Sequence, residues 1–378
     1  MKRLRLKPKE ERRLLRGHLW AYRNEFADTP DLDDGTVVDV YADRGRFVGR
    51  GFYQAEGGIA VRMLTRRQAA IDEGFLADRL GRALKFRKRM LGTGFPEDTV
   101  YRWVHGESDG MPGLVADRYG EVVTASSSCA FYASVGEELA QAFLSHDRVS
   151  GFRLEVRGAV RRWGAVPEET TCSMDGLELT VDLERGQKTG LFLDQRRNAL
   201  ALRAHVRGAR VLDGHCYVGL WSCHAALGGA REVRGVDSSE EAVRRAAEHA
   251  RLNNVEKVCQ FETGDIAKVL ADGEPYDCVV LDPPALAKSR SHAAKALGLY
   301  QALNRDAMKT VSPGGVLMTS CCSHFVSRER FLETLKRAAA AAQRQVWVVD
   351  VRGPSPDHPV LMAMPETAYL TCVTLRVL

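Results

Sequence analysis

The stretch VLDGHCYVGLWS, Val211 to Ser222, is an apolar run that ends on an acid, passes a glycine turn and enters a segment compatible with a helix. A strand, a tight turn and a helix in that order form the first unit of a nucleotide-binding α/β sheet. The same alternation continues outward. ARVLDG, EVRGVDS, VCQFETGD, YDCVVLDPP, GGVLMTSC and VWVVDVR read as strands between helical segments, and AYLTCVTLRVL reads as a last strand. This pattern predicts a doubly wound, mostly parallel, seven-stranded Rossmann-like α/β sheet. SSEEAVRRAAEHARLNN is the clearest helix. Ser238 is its expected cap, with Glu241 closing a capping box and Ala242, Val243, Ala246, Ala247 and Ala250 on the apolar face.

Acids stand at the ends of the first three strands: Asp213, Asp237 in GVDSS, and Asp265 in ETGDI. A carboxylate after the second strand can accept from both hydroxyls of a ribose. There is no GxGxxG, and Gly219 is the main glycine of the turn, which weakens a pyrophosphate reading. The pattern suits adenosine on a tail without phosphate. Asp213 would lie near the tail, Asp265 would accept from the adenine amino group and Ile266 would pack on the ring. Any one of these acids reads equally well as a loop or cap residue; three at successive strand ends point to a ligand.

The preceding chain reads as two further units, so the expected division is 1–70, 71–187 and 188–378. GTVVDVYADRGRFVGRGFYQ alternates and is broken by glycines, as in a small meander or barrel, and LLRGHLWAYRNEF before it suits a short helix. IDEGFLADRLGRALKFRKRML is amphipathic, with Phe75, Leu76, Leu80, Leu84 and Phe86 on its apolar face. LELTVDLERGQKTGLFLDQR suits a hairpin and a connection. Net charge is +5, but Met1 to Arg23 carries nine Lys/Arg against two Glu, and RGAVRR at 157–162 is a second basic cluster. Such patches are the usual footprint of a phosphate-rich partner, and equally the solvated face of a charged surface. The nine cysteines are scattered without a CxxC pair, which disfavours a disulfide framework or a zinc site and suits a reducing cytoplasm. No apolar run is long enough for a transmembrane helix.

VVLDPPALAKS places Asp282 at the end of the fourth strand, with Pro283 and Pro284 stiffening the turn. The fifth strand ends in SCCSHF, residues 320–325. If the two strands are neighbours, Asp282 and the Cys321–Cys322 pair face one cavity beyond the carboxyl edge of the sheet. An Asp-Pro-Pro here is shared by several nucleic-acid methyltransferases. Those acting on exocyclic amines usually follow the prolines with an aromatic residue, and Ala285 stands there instead. C5 of a pyrimidine needs a thiolate to add to C6 before it can accept a methyl group. Successive strand residues point to opposite faces, so both cysteines are not expected to reach one base.

These segments together resemble the bacterial class I S-adenosylmethionine-dependent 23S ribosomal RNA 5-methylcytosine methyltransferases that carry an N-terminal PUA domain. The resemblance covers essentially the whole chain through LLRGHLWAYRNEF, GESDGMPGLVADRYG, QKTGLFLDQR, VLDGHCYVG, VDSS, LDPPALAK, SCCSHF and DHPVL. It implies a PUA domain, a central α+β domain and a methyltransferase domain. It implies S-adenosyl-L-methionine held by Asp213, Tyr217, Gly219, Asp237, Ser238, Asp265, Ile266 and Asp282, with Gln195 and Arg196 closing over it. It implies Cys322 as nucleophile, Asp282 against the target base, and Pro283, Pro284, Lys288, Asp357 and His358 toward the RNA; Lys188 is placed with either ligand. Ribosomal RNA would be the partner, with a homodimer by analogy. Leu220 and Cys321 depart from the family pattern, where glycine and serine are usual. A uracil C5 or guanine amine methyltransferase, or a non-catalytic RNA-binding factor, are the competing readings.

Overall fold

The glycine-broken alternation near the N-terminus becomes a five-stranded sheet in the computed structural model, which describes residues 1–28, 31–92, 99–184, 186, 189–287 and 289–378. Its strands are β1 (Lys2–Arg5), β2 (Trp20–Tyr22), β3 (Val37–Tyr41), β4 (Phe47–Tyr53) and β5 (Ile59–Thr65), in the order β1-β3-β4-β5-β2. The expected helix before them is confined to α1 (Glu11–Leu15). Gly17, at φ +115°, stops it, and Trp20–Tyr22 continue as a strand paired with β5.

α2 (Glu73–Leu91) follows, capped by Asp72, whose carboxylate accepts from Phe75 N at 3.0 Å. Leu76, Leu80 and Leu84 are buried as the periodicity requires. They pack with the sheet β10-β9-β8-β7-β6, formed by β6 (Val100–His105), β7 (Leu114–Tyr119), β8 (Val122–Ser127), β9 (Gly151–Val156) and β10 (Ala159–Gly164); α3 (Phe131–Ser134) and α4 (Gly136–Leu144) lie between β8 and β9. The same α2 face carries Arg87, 0% exposed. Its guanidinium takes Asp109 at 2.5 and 2.7 Å and donates to the carbonyls of Arg102 and Asp357, both at 2.8 Å. In RGAVRR, Arg157 and Arg162 are ion-paired to Asp34 and Glu184, and Arg161 lies 4.6 Å over Trp163. Arg161 also stands 3.9 Å from Glu137, so each of the three arginines of that cluster has a carboxylate partner.

β11 (Glu169–Met174) and β12 (Leu177–Asp182) form a two-stranded sheet, so β12 pairs backward rather than opening a hairpin into the QKTG segment. The chain divides into two compact units there: Met1–Ser173, Thr180–Leu191 and Pro356–Thr367 form one; Met174–Leu179, Phe192–Ser355 and Ala368–Leu378 form the other.

The second unit is the doubly wound sheet. α5 (Arg196–Leu202) leads into β13 (Arg210–Gly214), α6 (Leu220–Leu227), β14 (Glu232–Asp237), α7 (Glu240–Leu252), β15 (Cys259–Thr263), α8 (Ile266–Ala271), β16 (Tyr276–Leu281), α9 (Ala293–Thr310), β17 (Val311–Cys321), α10 (Arg328–Ala342), β18 (Val346–Arg352) and β19 (Thr371–Val377). The strand order is β15-β14-β13-β16-β17-β19-β18, and β19 alone runs antiparallel to its neighbours. All seven expected strands are present. α7 begins one residue later than its expected cap. Asp237 takes the amide of Ser239 at 2.9 Å, and Ser239, not Ser238, accepts from Ala242 N. Glu241 does not reach back to close a capping box, because Arg244 and Arg245 hold its carboxylate at 2.6 and 2.9 Å. Among the described residues no helix is long and apolar enough to cross a membrane.

Replacing Arg87 with Met keeps the stem length but removes the cation from the Asp109 carboxylate, which retains the His105 amide at 2.6 Å, and takes the Arg87 donor from two carbonyls. Breaking a buried ion pair from one side costs about 3–5 kcal/mol. Urea unfolding should show a loss of that size for Arg87→Met.

Candidate active site

The site is built where the parallel strands end. β13 terminates in Asp213-Gly214, and the chain then turns through His215 (φ +62°), Tyr217 (φ +49°) and Gly219 (φ +81°) before α6. Two non-glycine residues in the left-handed region each store of order 1–3 kcal/mol, which is characteristic of ligand loops. Gly219 is required twice over: by its φ, and because a Cβ would sit 3.0 Å from the Cβ of Ala246. Asp237 braces this loop, its Oδ2 accepting from Tyr217 N at 2.9 Å, and the Tyr217 ring meets Phe192 edge-on at 5.2 Å.

Asp213 is fully buried. Its Oδ2 accepts from Ser222 Oγ at 2.6 Å, and its Oδ1 has no partner among the described residues. Burial raises its pKa from the ordinary carboxylate range to about 7, the Ser222 hydroxyl opposes the rise, and Asp282 and Asp237 add to it. Nearby thiols bring no compensating charge; burial pushes Cys259 and Cys278 up to about 12. A buried carboxylate with one open lone-pair side and no cation beside it is a place for a cationic ligand group. The left-handed turn and the braced Asp237 carboxylate complete a cradle that fits an adenosine carrying a charged tail.

Asp265 is exposed at the start of α8, where its Oδ1 caps the helix by accepting from Ala267 N at 2.9 Å. Ile266 is buried, its side chain facing Gly214, where an added Cβ would lie 2.7 Å from Ile266 Cγ1. Ser238 is exposed beside them.

On the next strand Asp282 is held from two sides. Its Oδ1 accepts from Gln195 Nε2 at 2.7 Å and its Oδ2 from Trp221 Nε1 at 3.1 Å. Asn198 fixes the Gln195 amide by donating to its Oε1 at 2.7 Å. Gln195 therefore orients Asp282. The guanidinium of Arg196 is fully buried against Asp175, at 2.5 and 2.8 Å.

The two cysteines separate as the strand geometry requires. Cys321 is 1% exposed, in the core with Tyr300 and Phe331, and burial raises its pKa. Cys322 stands just beyond β17, half-buried, with Sγ donating to the carbonyl of Pro283 at 3.4 Å. Pro283 is buried and Pro284 exposed. Ser323 secures the loop, its Oγ accepting from Ala287 N at 3.2 Å. A thiol from the end of β17 thus touches the turn after β16 that carries an oriented carboxylate, which is an arrangement for covalent attack on a planar acceptor. Lys288 and Lys188 lie outside the described residues.

Asp357 and His358 belong to the other unit. Asp357 accepts from Arg102 N at 2.9 Å and from His358 Nδ1 at 3.0 Å. His358 is 2% exposed, with its ring 5.0 Å from that of His105 and its Nε2 unpartnered among the described residues. Sequence reasoning missed Trp221, Ser222, Asn198 and Ser323; the partners of Trp221, Ser323 and Ser222 lie 61, 36 and 9 positions away, and Asn198 acts through Gln195, 3 positions away. No group of three potential metal ligands occurs among the described residues.

Residues 4–66 match the PUA-like domain family, and residues 140–362 match the family described as S-adenosylmethionine-dependent methyltransferase. The chain is 32% identical to the ribosomal RNA large subunit methyltransferase I of Shewanella denitrificans, over 99% of both chains. It is also 32% identical to the protein of the same name from Klebsiella pneumoniae, over 100% of this chain and 98% of the other. Among solved structures, a chain from Streptococcus mutans assigned to the SAM-dependent methyltransferases superposes with a TM-score of 0.87 at 22% identity, covering 100% of both. Another, assigned as a methyltransferase and complexed with SAH, superposes at 0.88, also at 22% identity over 100% of both chains. At that identity the two structures speak for the fold.

Because Asp213 binds its proton more tightly folded than unfolded, it costs no stability below about pH 4, and its penalty grows until pH passes about 7. Asp213→Asn should therefore match the ligand-free wild type near pH 4 and exceed it at pH 8, by up to about 4 kcal/mol at about 1.36 kcal/mol per pKa unit. Denaturant titrations at the two pH values measure the difference.

Proposed function

The chain belongs to the S-adenosylmethionine-dependent methyltransferase family, and on that premise we propose that it methylates C5 of a cytosine in 23S ribosomal RNA through a thiolate adduct formed by Cys322. The observation that carries this reading is the hydrogen bond from Cys322 Sγ to the Pro283 carbonyl, beside an Asp282 already oriented by Gln195 and Trp221. The relatives' names support ribosomal RNA as the substrate, as does the N-terminal match to PUA-like domains.

Cofactor binding falls to Asp237 at the ribose, Asp213 toward the charged tail, Asp265 at the adenine edge, and the turn from Tyr217 to Gly219. The bound cofactor supplies an electrophilic methyl group. Cys322 supplies what C5 lacks. Its thiolate adds to C6, the C5=C6 π electrons shift, and C5 becomes an enamine-like nucleophile. Asp282, as the carboxylic acid, would donate its proton to N3 and neutralise the charge that the addition moves onto the base, and would take that proton back when the adduct breaks down. Once C5 has accepted the methyl group, loss of its proton allows elimination to break the C6–Sγ bond and free the enzyme. The cytosine must leave its stack to reach this turn. Arg196, buried against Asp175, fits a strut of the Leu193–Arg196 segment better than a ligand.

Cys322→Ala should lower methyl transfer to a 23S transcript by about 10³-fold or more, the scale of losing a covalent nucleophile. Cys321→Ala should retain most of it; equal loss from both would overturn the assignment. Bisulfite sequencing of ribosomal RNA from cells with and without the active gene reads both base and position. In a transcript carrying 5-fluorocytosine, fluorine replaces the proton that must leave. The wild type should stay covalently attached through denaturing electrophoresis and Cys322→Ala should not.

A further inference from the structure

The first unit holds a cavity of about 170 Å³ bounded by α1, β4, β5 and α2. Arg66, Arg79, His18 and Thr65 line it, over an apolar floor that includes Leu14 and Met63, and no Asp or Glu does. Neither Arg66 nor Arg79 makes an ion pair among the described residues. Each donates once to a carbonyl: Arg66 Nη2 to Leu14 O at 3.1 Å and Arg79 Nη2 to Leu64 O at 2.9 Å. Arg79 Nε is buried without an acceptor, and the guanidinium lies 5.0 Å over Phe75. Burial is also the main cause of the lowered pKa of Arg79. Burial likewise lowers that of His18, with Arg13 adding to it, while Glu366, whose Oε1 stands 3.5 Å from His18 Nε2, opposes the shift. The Thr65 hydroxyl accepts from Arg67 N at 3.1 Å, which leaves its proton to donate.

The fully buried Arg87 and Arg196 each have a carboxylate on them, Asp109 and Asp175. A half-buried guanidinium over an apolar floor without one calls for an anion from outside the chain. The cavity is smaller than the roughly 300–1,000 Å³ of pockets that enclose drug-sized ligands, so it takes a single compact oxyanion. Guanidinium forks and a hydroxyl are the donors that suit a phosphate.

We propose that this cavity binds one backbone phosphate of the RNA substrate, clamped between Arg66 and Arg79. The RNA part of this assignment rests on the function proposed above. Half of the clamp, Arg79, lies outside the segment 4–66 that matches PUA-like domains. The RNA would thus be gripped jointly by the end of β5 and by α2.

The test uses the full-length protein with inorganic phosphate and, separately, a 23S RNA fragment. Arg66→Ala removes an exposed side chain and is the safer variant; Arg79→Met keeps the apolar stem. S-adenosylmethionine affinity by calorimetry reports that each variant is folded. Phosphate should raise the melting temperature of the wild type, and this rise should shrink in both variants. For RNA, both variants should bind more weakly, and the slope of log affinity against log salt should fall by about 1 for one lost phosphate contact. An equal phosphate response in wild type and variants would overturn the site. A phosphate response lost in the variants with an unchanged RNA salt slope would overturn the RNA assignment and make the site one for free phosphate. If the wild type binds no 23S fragment, the function proposed above fails, while the phosphate titration still decides the cavity independently.

Discussion

Parallel pairing of β16 with β13 on one side and β17 on the other sets where every reacting group stands. Leu281 pairs with both Gly214 and Thr319, and Asp282 N still bonds Gly214 O at 3.3 Å. The three chains therefore leave the sheet together. Parallel strands put all their carboxyl ends on one edge, so Asp213, Asp282 and Cys322 converge although more than a hundred residues separate the first from the last. What remains is orientation. Trp221 and Gln195 supply it for Asp282, and the Pro283 carbonyl supplies it for Cys322.

Compensation of buried charge sorts the polar residues into two kinds. Arg87 and Arg196 are buried with their carboxylates, and Arg102 is held by both oxygens of Asp117. These pairs tie segments distant in sequence and leave no charge over. Asp213 and Arg79 are different. One has an open oxygen and a pKa raised to about 7, the other a buried nitrogen with no acceptor. Folding alone does not favour either arrangement, because desolvation opposes both. A ligand of opposite charge would remove each penalty: the charged tail of the cofactor in the first case and a phosphate in the second, as proposed above.

Local chemistry made the sheet readable. All seven strands and α7 announce themselves because each has its own apolar period and its own stop signal. The acids at the strand ends were readable for the same reason, being local to their strands. What was not readable is which partner a polar side chain takes, near or far in the chain. Ser238 loses the cap to Ser239 because Asp237 takes the Ser239 amide. Arg196 sits in a segment that looks like a ligand loop, yet Asp175 claims it. Trp221 looks like one more apolar residue of α6 until its indole N–H is found on Asp282.

By itself the sequence determined the fold class, the order of the strands along the chain, and the residue types available at the strand ends, since these follow from periodicity and turn chemistry over windows of a few residues. It also determined that two thiols, not one, arrive at the end of β17. Only the tertiary structure decided between them. Pleating sends Cys321 into the core beside Tyr300 and leaves Cys322 half-buried at the turn, on the Pro283 carbonyl. The same holds for the carboxylates: which acid braces a loop, which caps a helix and which is left without a partner depends on where other chains pass, and that is settled by packing, not by neighbours in sequence.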